Sequence, residues 1–168
     1  QPNSGLNKEH EELYQLNRLS LVRQLRYSTK NENSIDLVLF VNGLPVVTME
    51  LKNQLTGQTY KDSEKQYKMD RDPAESLLRF KRCAVHFCVD NDNVSMTTQL
   101  MGDKTRFLPY NKEIENPVNY LGYRTHYLWE EVLTPDSLCD ILENFVHLAT
   151  ESSTEWDNSK GKVVEKTK

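Results

Sequence analysis

The sequence predicts an α/β domain built as a mixed sheet flanked by helices, and three observations carry that expectation. Strand-like and helix-like stretches follow in the order helix, three strands, helix, strands, helix. Two of the strand-like stretches are joined by Asn42-Gly43, the dipeptide best suited to a tight hairpin. The last apolar-periodic stretch starts with Thr134 as a helix N-cap and Pro135 at the first helical position. At 168 residues the chain is one ordinary domain, or one with a tail. A chain of that length buries roughly 70% of its unfolded surface, so folding needs no disulfide or metal staple.

Taken in order, Leu6 to Leu16 reads as a short helix, with Leu6, Leu13 and Leu16 apolar among Lys8, Glu9, Glu11 and Glu12. Leu19 to Tyr27 alternates, Leu19, Leu21, Leu25 and Tyr27 against Ser20, Gln24 and Arg26, as a half-buried strand does. Ser28 to Ser34 is a polar loop. Ile35 to Val41 and Leu44 to Lys52 are the two arms of the Asn42-Gly43 hairpin. Thr59 to Met69 reads as a helix that stops near Asp72-Pro73, because the residue before proline avoids the helical region. Lys81 to Asp90 and Val94 to Leu100 form two more strands around Asn91-Asp92-Asn93, with Thr105 to Leu108 a candidate third. Pro109 to Arg124 is a long loop. The final helix carries Leu138, Ile141, Leu142, Phe145, Val146 and Ala149 on one broad face. From Thr150 onward apolar periodicity stops, so residues 150–168 are expected to be a linker or disordered tail.

Composition excludes several classes. Hydrophobic residues make up 37% and charged residues 27%, which is globular and on the polar side. No apolar run approaches the roughly 20 residues that span a bilayer, so no membrane role is expected. No basic segment leads into an apolar stretch after Gln1, and a start without Met suggests a fragment or a trimmed end. Cys83, Cys88 and Cys139 cannot all pair within the chain, which favours a reducing cytoplasm. A net charge of -4 argues against holding nucleic acid by bulk charge alone. If DNA is the substrate, another domain or subunit supplies much of the grip.

The chemistry centres on Met49-Glu50-Leu51-Lys52. Leu44, Val46, Val47, Met49 and Leu51 make this an interior strand, yet Glu50 and Lys52 project from it on one face. Asp36 interrupts the partner strand in the same way. Burying three charges is costly unless they pair or hold a metal. A two-residue loop at Asn42-Gly43 would set Val41 against Leu44 and turn Asp36 away from Glu50. A three-residue loop, Val41-Asn42-Gly43 with a bulge at Gly43, gathers Asp36, Glu50 and Lys52 on one face, and that is the loop expected here. Two carboxylates with the Leu51 carbonyl between them offer hard oxygen ligands suited to Mg2+. Such a metal lowers the pKa of a bound water and neutralises charge building on a phosphate. Lys52 could position that water or stabilise the charge. The competing reading is a structural ion pair between Glu50 and Lys52.

Asp36, followed fourteen positions later by Glu50-Leu51-Lys52, resembles the PD-(D/E)XK nuclease signature. The stretch from Asp36 through Asn42-Gly43-Leu44-Pro45 to Asn53 resembles the N-terminal nuclease domain of the R (restriction) subunit of type I restriction enzymes. So do Gln66-Tyr67 with Asp70-Arg71-Asp72-Pro73, the run Arg79-Phe80-Lys81-Arg82, and Tyr127-Leu128-Trp129-Glu130-Glu131-Val132. The likeness runs from about Leu13 to Leu148. It implies a restriction-endonuclease-like fold and Mg2+-dependent endonuclease cleavage of double-stranded DNA by hydrolysis. It further implies partnership with methyltransferase and specificity subunits, and a helicase-type, ATP-driven motor later in the intact subunit. Asp36 and Glu50 match the metal-binding acids and Lys52 the catalytic lysine. Ile35 stands where the signature has proline. Some relatives carry Gln-x-x-x-Tyr on the next helix; here Asp70 stands four places after Gln66, and Tyr67 is adjacent to it. No Gly-x-x-x-x-Gly-Lys-Ser/Thr loop occurs, so ATP would bind outside this chain.

Lys61, Lys65, Lys68 and Arg71 are spaced four, three and three apart, one stripe on a helix that could contact phosphates with Gln66 beside it. The competing reading is a solvated face, softened by Asp62, Glu64, Asp70 and Asp72. Arg79, Lys81 and Arg82 form a second basic cluster. Cys83-x-x-His86-x-Cys88 is read as core, because on a strand Cys83 and Cys88 point to opposite faces. Tyr127 and Trp129 are read as packing groups. Two rivals stay open: a non-catalytic module of the same fold that docks DNA or a subunit, and a nuclease of repair or recombination.

Overall fold

A computed structural model of the chain describes residues 7–148 together with two strands at 152–157 and 162–167. Its main element is a six-stranded mixed sheet in sequence order: β1 (Leu19–Arg26), β2 (Ser34–Val41), β3 (Leu44–Leu51), β4 (Val85–Val89), β5 (Val94–Thr97) and β6 (Leu108–Pro109). All neighbours are antiparallel except β3 and β4, which run parallel with Leu51 beside Val89. A parallel neighbour needs a crossover, and helix α2 (Tyr60–Met69) lies in it. Helix α1 (Lys8–Gln15) precedes the sheet, and α3 (Pro135–Asn144) follows a wide π-type turn at Leu128–Val132. Strands β7 (Ser152–Asp157) and β8 (Lys162–Thr167) pair as a separate ribbon, where composition led to the expectation of a tail without regular structure. Among the described residues, no helix is long and apolar enough to cross a membrane.

Both sheet faces are covered. On one, Val38, Tyr67, Leu78 and Cys88 form a core with Phe40 packed against it. On the other, Val47, Met49, Phe87, Val89, Tyr127, Leu128 and Leu138 form a second core. Helix α2 buries Ser63, Glu64 and Tyr67, residues at the three- and four-residue steps that place them on one stripe. Its first turn is fixed by Asp62, whose carboxylate accepts the Thr59 N–H at 2.8 Å.

The β2–β3 hairpin corrects the expected loop. Val41 faces Leu44 and Phe40 faces Pro45 across a two-residue turn. Asn42 (φ 52°) and Gly43 (φ 80°) both occupy the left-handed region, the conformation that matches the twist of the flanking strands. The register then shifts between Phe40 and Leu39, which faces Val47, so Val46 is an extra residue in β3. From there Val38 faces Thr48 and Leu37 faces Met49. A bulge three residues further on restores an even register, two steps from the one a loop bulged at Gly43 gives; continued one pair beyond Leu37 and Met49, it sets Asp36 against Glu50.

Strand β4 begins at Val85 rather than Lys81. Residues 79–82 close a turn in which the Arg82 N–H donates to the Arg79 carbonyl, with Lys81 left-handed at φ 73°. Cys83 therefore lies ahead of the strand, and the alternation argument does not apply to it. Cys83 and Cys88 sit in the same core cluster, not on opposite faces, and burial pushes the Cys83 thiol up to about 12.

Candidate active site

The carboxyl ends of β3 and β4 lie side by side, and charged residues gather on the α2 side of that edge. Glu50 is completely buried. Its Oε1 accepts the Arg71 guanidinium through Nε at 2.9 Å and Nη2 at 2.7 Å. Arg71 is also buried, at 7% exposure, and its Nη2 donates to the Ser34 carbonyl at 2.9 Å. The other Glu50 oxygen, Oε2, is buried without a hydrogen-bond partner. Burial, with the nearby Asp36 carboxylate adding to it, lifts the Glu50 carboxyl up to about 7 against the pull of Arg71.

Asp36 is tied down from two sides. Its Oδ2 accepts the Leu51 N–H at 2.8 Å, and its Oδ1 accepts the Gln24 side-chain amide at 2.7 Å. Gln24 adopts φ 49°, left-handed for a non-glycine residue inside a strand. Such a conformation costs of order 1–3 kcal/mol and persists where surroundings over-determine it. Here the surroundings are Asp36 and the Ser34 hydroxyl, which donates to Gln24 Oε1 at 3.0 Å.

Lys52 projects from the same face as Glu50, and its Nζ donates to Gln66 Oε1 on α2 at 2.6 Å. Glu50 and Lys52 do not form the ion pair that the sequence left open; each has another partner. Leu51 joins the cluster through its backbone N–H.

The basic stripe keeps three of its four members on α2. Lys61 and Lys65 are exposed, Lys61 with a bond to Glu64 at 3.1 Å, and Lys68 is half-buried with its ammonium 5.7 Å from the centre of the Phe107 ring. Arg71 leaves the stripe altogether, because α2 ends at Met69 and the chain turns inward. Lys81 and Arg82 line a 660 Å³ groove with Leu44 and Val46, at the end of β3 opposite Glu50. Sequence reasoning missed two residues of the cluster, Arg71 as the Glu50 counter-ion and Gln24 as a prop for Asp36. The signal for the first was present: an arginine two residues past the helix end, just before Asp72-Pro73.

Beneath the cluster Thr48 Oγ1 bonds the Tyr67 hydroxyl at 2.8 Å and His86 Nδ1 at 2.7 Å, all three buried. Burial pushes His86 down to about 4. The unfolded chain thus binds a proton here between about pH 6.5 and 4 that the folded chain refuses, so this group's contribution falls as pH drops through that window. Glu50 acts in the opposite sense, since its raised carboxyl stabilises the fold as pH falls from about 7. The difference in urea midpoint between the wild type and His86→Gln isolates the histidine: it should shrink steadily from pH 7 to pH 4.5.

The donor set fits a hard divalent cation. Asp36 and Glu50 offer carboxylate oxygens on one face, and the unpartnered Glu50 Oε2 is the acceptor such an ion satisfies. Among the described residues no third His, Cys, Asp or Glu joins them to make a larger cluster. Against known families, residues 6–105 match the model described as type I restriction enzyme R protein N terminus, more than half of the chain. No curated protein and no solved structure matches it.

Proposed function

The chain belongs to the type I restriction enzyme R protein N-terminus family, and from that premise we propose that it is a Mg2+-dependent endonuclease domain of PD-(D/E)XK type, hydrolysing phosphodiester bonds of double-stranded DNA. The observation that carries this reading is the pair Asp36 and Glu50 on one face, with Glu50 Oε2 buried and unpartnered. Asp36 and Glu50, with the Leu51 carbonyl, would hold the cation. When bound, Mg2+ supplies a more acidic water and neutralises charge on the phosphate. Lys52, held by Gln66, presents its ammonium where negative charge develops. Arg71 keeps Glu50 in place and offsets one of the two carboxylate charges, so an added cation leaves the site positive toward a phosphodiester. Gln24 and the Leu51 N–H fix the rotamer of Asp36.

In this reading residues 1–149 are the nuclease domain and residues 150–168 connect it to an ATP-driven motor. Methyltransferase and specificity subunits complete a cytoplasmic complex that restricts unmodified DNA. The docking-module rival draws support from the Glu50–Arg71 pair, which needs no metal to be satisfied. Mn2+ titration followed by calorimetry separates the two. One ion should bind per chain at neutral pH, Asp36→Asn should weaken it by about 10- to 100-fold, and Mg2+-dependent nicking of plasmid should vanish with it. Absence of both binding and nicking leaves the docking module.

A further inference from the structure

On the other side of β3 from the carboxylates lies a hollow of 310 Å³ that the reaction above does not use. Leu51, Lys52, Asn53, Val89, Asp90 and Asn91 form its floor, and Tyr123, Thr125 and Trp129 form its wall. We propose that this hollow is a nucleobase pocket, in which one DNA base unstacked beside the cut lies against Trp129 and Tyr123. The inference rests on the endonuclease reading and names how that site grips its substrate.

Position is the first argument. The hollow sits at the carboxyl ends of two parallel strands, where open α/β sheets bind their ligands. Leu51 lines it while its N–H donates to Asp36, so pocket and cation site are one hydrogen bond apart.

Shape is the second. Trp129 and Tyr123 stand at 78° with ring centres 6.4 Å apart, an open corner in which a flat heterocycle can stack on one ring and meet the other edge-on. Both rings are half-exposed, at 47% and 54%. The same loop carries Tyr120 and Leu121, almost wholly in solvent. Exposed apolar side chains gathered near a cleft mark a surface that a ligand covers. The volume lies at the lower end of small-ligand sites, about 300–1,000 Å³, which suits a single base.

Charge is the third, and it selects a base over a phosphate. Lys52 is the only cation lining the hollow, and Gln66 holds its ammonium. Arg124 next door is engaged by Asp92 and Glu115. The Asp90 carboxylate is consumed by the backbone N–H groups of Tyr60, Asp92 and Asn93. What remains polar is the side-chain amide of Asn91 together with that of Asn53, whose Oδ1 accepts the Leu55 N–H, and such amides pair with base edges. Thr125 holds this floor in place by donating to the Asp90 carbonyl at 2.9 Å.

The test uses the whole chain with Trp156→Phe, so that Trp129 is the sole tryptophan, and Ca2+ in place of Mg2+. A single-stranded oligonucleotide and a duplex with one unpaired base should both quench Trp129 emission, and a fully paired duplex should do so far less. Trp129→Ala should weaken single-strand binding about tenfold, while Trp129→Phe, which keeps a ring, should stay within about twofold. No quenching by either unstacked substrate, or unchanged affinity in Trp129→Ala, overturns the pocket. Quenching without Mg2+-dependent cleavage upholds it and removes the hydrolytic reading alone. Cleavage without quenching does the reverse.

Discussion

Replacing Lys52 by alanine should lower Mg2+-dependent nicking of supercoiled DNA by about 10²- to 10³-fold, the usual loss when one preorganised donor to developing charge is removed. The folded state should hardly notice. Lys52 is only half-buried, its ammonium makes one hydrogen bond, and substitutions of that kind usually stay within about 0.5 kcal/mol. Urea midpoints of variant and wild type should therefore coincide while rates diverge. Gln66 supplies the control, because it acts through Lys52. Without its Oε1 at 2.6 Å the ammonium keeps its charge and loses its aim. Gln66→Ala should cost about tenfold in kcat with KM little changed, as expected when orientation rather than charge is lost. Lys52→Arg should rescue poorly, since a planar fork cannot reproduce a point donor in that position. A Lys52→Ala protein that nicks at the wild-type rate would remove the lysine from the chemistry.

Why the cluster could be read from sequence, and why parts of it could not, comes down to which interactions are local. The alternation of Leu44 to Lys52 and the Asn42-Gly43 turn are local, and they placed Glu50 and Lys52 on one face. The meeting of Asp36 with Glu50 depended on a bulge at Val46. Pro45 is the local cue for it, because a proline inside a paired strand favours edges and bulges, whereas Asn42-Gly43 taken alone allows either loop; the expected loop was wrong although the expected face was right. Arg71 failed for the opposite reason. Helical spacing was extended past the point where the helix exists: Met69 is its last residue, and two residues later the chain has turned toward the sheet. Cys83 lies in the core as expected, but the face given to it came from carrying strand periodicity back through a turn. Trp129 was read as packing from its alternation with Leu128, but a π-type turn at Leu128–Val132 buries Leu128 and leaves Trp129 half-exposed. Periodicity fixes faces inside an element and is silent about where the element stops.

Arg71→Ala should destabilise the fold by about 3–5 kcal/mol at pH 8, the range seen when one partner of a buried ion pair is deleted. The two groups are among the most enclosed charges of the described chain, Glu50 wholly buried and Arg71 nearly so. Deleting the guanidinium strands a carboxylate that already has one oxygen without a partner. It also frees the Ser34 carbonyl, to which Nη2 donates. The loss should depend on pH in a definite direction. Glu50 sits at about 7 with Arg71 present, and removal of the cation raises it further. Its folded-state pKa then lies well above the unfolded carboxyl near 4.5, so the folded variant takes up a proton that the unfolded chain does not. Acidification from pH 8 to pH 5 should accordingly shrink the gap between Arg71→Ala and wild type, read from urea midpoints across that range. Mn2+ should shrink it too at pH 8, because a bound cation replaces the missing positive charge and stabilises by mass action. A gap that ignores both pH and Mn2+ would mean that Arg71 supports the fold through Ser34 and packing alone, with Glu50 already neutral in the native protein.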